Sequence, residues 1–405
     1  MEQATEHDII VWGATGFTGR LVAEYLAGEG RTEGLRWAMA GRSRQRLEAL
    51  RGELARRGLD VADVGLLVAD SADRASLDGL VARGRVVIST VGPFARYGSS
   101  LVAACAEAGV DYCDITGEVH WMRQMIESHH ERAQQSGARI VHACGFDSIP
   151  SDLSCLMVQE HALATAGRPC RSVAYYLRRM KGTWSGGTAA TMLSTLELAR
   201  KDREVARLLA DPYALSPARG EDGPDQRGVL FDRDLGCWTA PFLMAPINTR
   251  VVRRSNALLG HRYGEGFRYR EAVAHCGAAG LPRALATAAG AAGLMAGMLF
   301  PPSRALMRRF VLPAPGEGPS REVRDAGHFD ATVLGLLPDG AKIRARVAAR
   351  GDPGYKATAM MVAQSALCLA LDTEIPRRGG VLTPACLGMT LVERLRRAGM
   401  TFAVE

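Results

Sequence analysis
The chain has 405 residues, 47% hydrophobic, 23% charged and 6% aromatic, with 45 Gly, 18 Pro and nine Cys. That length and balance suit two or three globular domains and exclude a collagen-like, disordered or disulfide-stapled chain. The net charge of +7 comes from scattered arginines, only four of the 50 basic residues being lysine. It reads as a compositional bias, and no nucleic-acid-binding face is expected.

Met1 to His7 is acidic and polar, unlike a secretory signal, so a cytoplasmic setting is expected. Asp8 to Trp12 is a short apolar run, followed by the glycine-rich turn Gly13-Ala14-Thr15-Gly16-Phe17-Thr18-Gly19 and an amphipathic stretch from Thr18 to Ala27. A strand is predicted at Arg36 to Ala40 and a charged helix at Arg44 to Arg57. Further apolar runs at Leu66 to Ala69, Val86 to Val91, Val110 to Cys113 and Arg139 to Ala143 alternate with helical stretches, among them Leu101 to Ala108 and Trp121 to Gln135. Such alternation predicts an α/β fold: a Rossmann-type doubly wound parallel sheet over residues 1–150.

Glycines at positions one, four and seven of the first turn form a variant of the dinucleotide fingerprint. The first permits the tight turn, the second admits a pyrophosphate, and the third lets helix and strand pack closely. The helix that follows points its free N–H groups at the phosphates. After the second strand the chain reads Gly41-Arg42-Ser43-Arg44-Gln45-Arg46, where an NAD site usually carries a carboxylate. Guanidinium groups there favour a 2′-phosphate, so NADP(H) is the expected cofactor, with Arg42, Ser43 and Arg46 near it. Asp70 and Ser71, after the third strand, are placed at the adenine. Thr90, Val91, Gly92 and Pro93, after the fourth, are placed at the nicotinamide ribose.

These residues carry a family resemblance. The glycine turn, Ala40 to Ser43, Val91 to Phe94 with Tyr97 and Gly98, Tyr112 to Glu118, and Gly145 to Asp152 resemble the saccharopine dehydrogenase-like oxidoreductases, and within them the bacterial trans-acting enoyl reductases. Gly182 to Thr188, Gly351 to Tyr355 and Gly379 to Thr383 agree, so the resemblance spans nearly the whole chain. It implies reduction of an enoyl double bond in a polyketide-derived acyl chain destined for cell-envelope lipids. It also implies a second α+β domain on a mixed or antiparallel sheet, over residues 151–350, with the helices of 351–405 returning to the first domain.

The second half supports that independently. Phe329 to Leu337 and Lys342 to Ala349 alternate about Pro338-Asp339-Gly340, which reads as a hairpin. Ser172 to Arg178 is another strand, Tyr355 to Leu371 a long helix, and Asp211 to Gly228, rich in Pro and Gly, a mobile loop. Cys105, Cys113, Cys144, Cys155 and Cys368 sit in apolar runs, no pair has C-x-x-C spacing, and free thiols without structural zinc are expected. Ala284 to Phe300 carries no charge and is followed by Arg304, Arg308 and Arg309. It reads as a buried helix, the wall of an acyl tunnel, or a peripheral membrane contact through 284–309 on the inner face of the plasma membrane.

No metal-ligand cluster or nucleophilic triad stands out, and hydride transfer needs none. Enoyl reduction does need a proton for the α-carbon. Tyr97 and Asp147 are the candidate donors, with Asp114 and Ser185 as further groups, while Asp147 alternatively caps the helix near Pro150 and Asp114 and Glu118 alternatively organise a loop. The expected partner is an acyl or lipid substrate held on a carrier protein; the oligomeric state is left open, a homodimer included. Two other readings stay open: a saccharopine-type imine reductase, and a non-catalytic NADPH-binding protein of lipid surfaces.

Overall fold
The computed structural model describes residues 5–30, 32–183, 186–299 and 318–405. Six strands appear in the first 150 residues: β1 His7–Trp12, β2 Trp37–Gly41, β3 Gly65–Val68, β4 Gly84–Ser89, β5 Asp111–Asp114 and β6 Arg139–Val141. The next six are β7 Ser172–Lys181, β8 Leu230–Asp232, β9 Cys237–Ala240, β10 Arg268–His275, β11 His328–Leu336 and β12 Lys342–Arg350. The last two are β13 Gly380–Leu382 and β14 Thr401–Val404.

The strands form two seven-stranded sheets in two compact units, Met1–Ile149 with Gly354–Ala398, and Pro150–Pro353 with Gly399–Glu405. In the first unit the order is β13-β6-β5-β4-β1-β2-β3, and every pairing is parallel. The central strands are apolar throughout: Ile9, Ile10, Val11, Val86, Val87 and Ile88 are fully buried. Such runs belong to a sheet covered on both faces. The helix Thr358–Leu371 supplies part of that cover and is buried along almost its whole length. A short π-helical turn, Pro353–Ala357, leads into it where an uninterrupted helix from Tyr355 was expected.

The second sheet is mixed, with order β14-β12-β11-β7-β10-β9-β8. The predicted hairpin is β11–β12, paired from His328↔Arg350 to Leu336↔Lys342. Residues 351–405 do not all return to the first unit, because β14 pairs with β12 and closes the second sheet. Two further expectations are corrected here. Asp211 to Gly228 is not a free loop: Asp225 pairs with Arg250, and Asp222 accepts from Arg253 Nε at 2.9 Å and from the Tyr269 amide at 2.7 Å. Both arginines are buried on the helix Ala245–Leu258, so releasing the segment would strand charges in the interior. The five cysteines named from sequence are free and buried, yet Cys237 and Cys276 form a disulfide, because the β9–β10 register brings them together.

Glu271 on β10 lies inside the second unit, hydrogen-bonded by Tyr269 Oη at 2.8 Å and Asn248 Nδ2 at 2.9 Å. Burial pushes its carboxyl up to about 7. The unfolded chain releases this proton near pH 4.5, whereas the folded one keeps it to about 7, so stability falls as pH rises across that window. Glu271→Gln should remove about 2–3 kcal/mol of that pH dependence. Urea unfolding at pH 5 and pH 8 measures it; an unchanged difference in the variant would show that Glu271 ionises freely in the fold.

Candidate functional site
In a parallel sheet the loops beyond the carboxyl ends of the strands form one edge, and here that edge carries most of the residues singled out from sequence. The turn after β1 is packed to its limit. Gly13 has φ +85°, and a Cβ on Gly19 would stand 2.2 Å from the Gly13 carbonyl oxygen. Thr90, beyond β4, donates its hydroxyl to Trp12 O at 3.1 Å and Gly13 O at 3.3 Å, fastening the turn to the next strand end. Gly13 and Ala14 amides donate to Ala40 O. Gly16 caps the helix Phe17–Ala27 without a side chain, and no acid occupies its first turn. The positive helix end is therefore left to an anion. Phe17 meets Tyr355 edge-on at 4.8 Å.

Beyond β2 the arginines divide. Arg44 is engaged, with Nε 2.9 Å from Glu48 and Nη1 donating to Leu66 O. Arg42 and Arg46 are exposed, and their guanidinium groups have no partner among the described residues. Ser43 caps the helix Arg44–Arg56, accepting from the Arg46 amide at 3.3 Å. Asp70 folds its own loop, its Oδ1 accepting from the Ala72 amide, while Ser71 is half-buried beside it. Val91 and Pro93 are half-buried, Gly92 is exposed, and the Gly92–Pro93 peptide is cis.

The strand ends β4, β5 and β6 hold a polar network whose parts the sequence only hinted at. Glu118, almost fully buried, accepts from the Phe94 amide at 2.7 Å and the Ala95 amide at 2.9 Å. It thereby fixes the backbone directly after Pro93. Asp114 accepts at Oδ2 from Tyr112 Oη (3.0 Å) and meets His142 Nδ1 there at 2.7 Å. Its Oδ1 takes the amides of Thr116 and Ala143. Ala143 is held at φ +60°, a left-handed conformation costly for alanine. Trp121 stacks edge-on against His142 at 5.0 Å and beside Phe94 at 5.5 Å. His142 and Trp121 were not singled out from sequence, and Phe94 was read only as the end of the loop after β4, since nothing local marks the three as one cluster.

The two candidate proton donors differ. Tyr97 is half-buried on the short helix Phe94–Tyr97, with the Arg96 guanidinium 5.1 Å from its ring centre. Asp147 is half-buried in the loop after β6 and has no hydrogen-bond or ion-pair partner among the described residues, so it caps no helix there. Burial and then the charge of Asp114 push its carboxyl up to about 7. Ser185 lies outside the described residues. Among the described residues no group of three or more His, Cys, Asp or Glu could hold a metal ion.

Residues 9–141 match the saccharopine dehydrogenase NADP-binding domain. A trans-acting enoyl reductase of Mycobacterium tuberculosis strain H37Rv is 42% identical over 413 residues, 98% of this chain and 97% of that protein. The trans-acting enoyl reductase of Mycobacterium ulcerans strain Agy99 is 41% identical over 412 residues, with the same coverage. Saccharopine dehydrogenase (L-Glu forming) from Saccharomyces cerevisiae shares the fold, with a TM-score of 0.56 at 12% identity over 98% of this chain and 99% of that one. The fold and site thus define a two-domain NADPH-dependent oxidoreductase. The chain belongs to the trans-acting enoyl reductase family, with an NADP-binding domain of the saccharopine dehydrogenase type.

Cofactor choice is testable at Arg42. Arg42→Asp should weaken NADPH binding on the order of a hundredfold while leaving NADH binding within a few-fold, as measured by fluorescence titration. Equal losses for both cofactors would assign the arginine no part in the discrimination.

Proposed function
We propose that this chain reduces an enoyl double bond in an acyl chain presented by a carrier, in the synthesis of a complex lipid. The observation that carries the reading is full-length similarity to proteins named trans-acting enoyl reductases. When bound, NADPH would supply a hydride for the β-carbon. The protein's part is to orient the cofactor and to deliver a proton to the α-carbon, so that the C=C bond becomes a C–C single bond as NADP⁺ forms.

On this reading Gly13, Ala14, Thr15, Gly16, Phe17, Thr18 and Gly19 hold the pyrophosphate against the helix end, and Arg42 and Arg46 pair with the 2′-phosphate, with Ser43 beside them. Asp70 and Ser71 flank the adenine. Thr90, Val91, Gly92 and Pro93 line the nicotinamide ribose, and Glu118 acts as a positioning residue for that loop. Asp147 is the favoured proton donor over Tyr97: it has no partner to surrender, and its carboxyl, raised to about 7, is protonated in about half of the molecules at neutral pH.

Two measurements test this. NADPH should be oxidised in the presence of long-chain 2-enoyl thioesters and left untouched by saccharopine; the opposite pattern would favour an imine reductase, and idleness with both a binding protein. For the donor, turnover should fall as pH rises through about 7. Asp147→Asn should lower kcat by about 10²–10³ and abolish that limb, with NADPH affinity retained. A variant keeping the wild-type pH profile would transfer the role to another group.

A further inference from the structure
The helix Gly280–Leu299 is the charge-poor segment noticed in the sequence, and the structure turns much of it outward. At 20 residues it extends roughly 30 Å, and Arg283 is its one charged residue. Ala284 and Met298 face inward, and Thr287 meets His275 Nε2 at 2.9 Å, which seats the helix on the sheet end. Leu281 is 38% exposed and Leu285 53%, and Ala289, Ala292, Gly293 and Ala296 continue the exposed stripe. No helix among the described residues is long and apolar enough to cross a membrane. Residues 300–309, with Arg304, Arg308 and Arg309, lie outside the described part.

Aromatic rings adjoin the start of this helix. A Cβ on Gly280 would lie 3.3 Å from Trp238 Cδ1, and Trp238 meets the half-exposed Phe231 edge-on at 5.3 Å. Leu230, 56% exposed, precedes it on the edge strand. Cations collect at the same end of the sheet. The parallel register Leu177↔Val273 brings the end of β7, with Arg178, Arg179 and Lys181, alongside the end of β10 at His275. The positive charges of Arg283 and Arg178 both act on His275. Arg179, Lys181 and Arg283 are exposed and have no ion-pair partner among the described residues. The nearby acids Asp232 and Asp330 are already taken by Arg270 and Arg346.

From this juxtaposition we infer that the outward face of the helix Gly280–Leu299, with Phe231 and Trp238 at one end and Arg179, Lys181 and Arg283 beside it, docks flat on an anionic lipid bilayer. A long uncharged helix face suits the acyl–headgroup boundary, the aromatic pair suits the interfacial zone, and unpaired cations suit anionic headgroups. An acidic carrier protein would also meet cations. It gives no reason, however, for an apolar stripe running the length of a 20-residue helix.

The test is vesicle flotation of the full chain. It should bind vesicles of phosphatidylcholine with 30% phosphatidylglycerol and not those of phosphatidylcholine alone. Leu281→Asp with Leu285→Asp should lower the partition coefficient at least about tenfold. Arg179→Glu with Lys181→Glu should lower it about tenfold or more at low salt, and less in high salt. Both pairs are exposed, so thermal melting and NADPH affinity should stay at wild-type values. Failure of the wild-type chain to bind anionic vesicles overturns the inference, as does undiminished binding by both variants. Binding only to a purified acidic carrier protein, lost in the same variants, would also overturn it and assign the face to that partner.

Discussion
The close approach of Gly19 to Gly13 is the contact on which the nucleotide-binding unit depends. With 2.2 Å between a notional Cβ and a carbonyl oxygen, only glycine lets the first helix start so near the end of β1. That start leaves a helix terminus without a side-chain cap, beyond the carboxyl end of β1, which lies between β4 and β2 in the sheet. Thr90 then ties β4 to the same turn through two carbonyls. The loops after β1 and β4 are therefore one mechanical unit, and a change at either glycine would be felt at both.

The second constraint is electrostatic. Asp114 and Glu118 are both buried, and between them they accept four backbone amides, from Phe94, Ala95, Thr116 and Ala143. A buried carboxyl group that organises backbone rather than pairing with arginine fixes loop shape at the cost of desolvation. It also raises the proton affinity of its neighbour, because the charge of Asp114 acts on Asp147 in addition to burial. The network that holds the loops thus also adds to the effect of burial on the carboxyl proposed to supply the proton.

Features with a local cause were legible in the sequence. The glycine turn, the apolar strands β1, β4 and β5 and the hairpin about Asp339 each follow from residues within a few positions of one another. Features that depend on distant partners were not. The helix Ala245–Leu258 carries Asn248, Arg250, Arg253, Arg254 and Asn256, yet all five are buried. What makes that tolerable is a pair of aspartates 25 and 31 residues earlier, on a segment that reads as a free loop. His142 and Asp114 are 28 residues apart, and Cys237 and Cys276 are 39 apart. Strand β14 is a short terminal run whose place depends on β12. Of the arginines after β2, the sequence reading placed Arg42 and Arg46 at the cofactor and not Arg44, and the fold shows Arg44 engaged by Glu48 and the Leu66 carbonyl.

The most direct test of the central claim is to map isotopes in the product of a single turnover. With NADPH deuterated at the transferable C4 position and a 2-enoyl thioester, the saturated product should carry one deuterium at the β-carbon. With ordinary NADPH in deuterated water, the label should appear at the α-carbon. Deuterium delivered from NADPH to the carbon of a C–N bond, or no transfer to any acyl substrate, would contradict enoyl reduction by this protein.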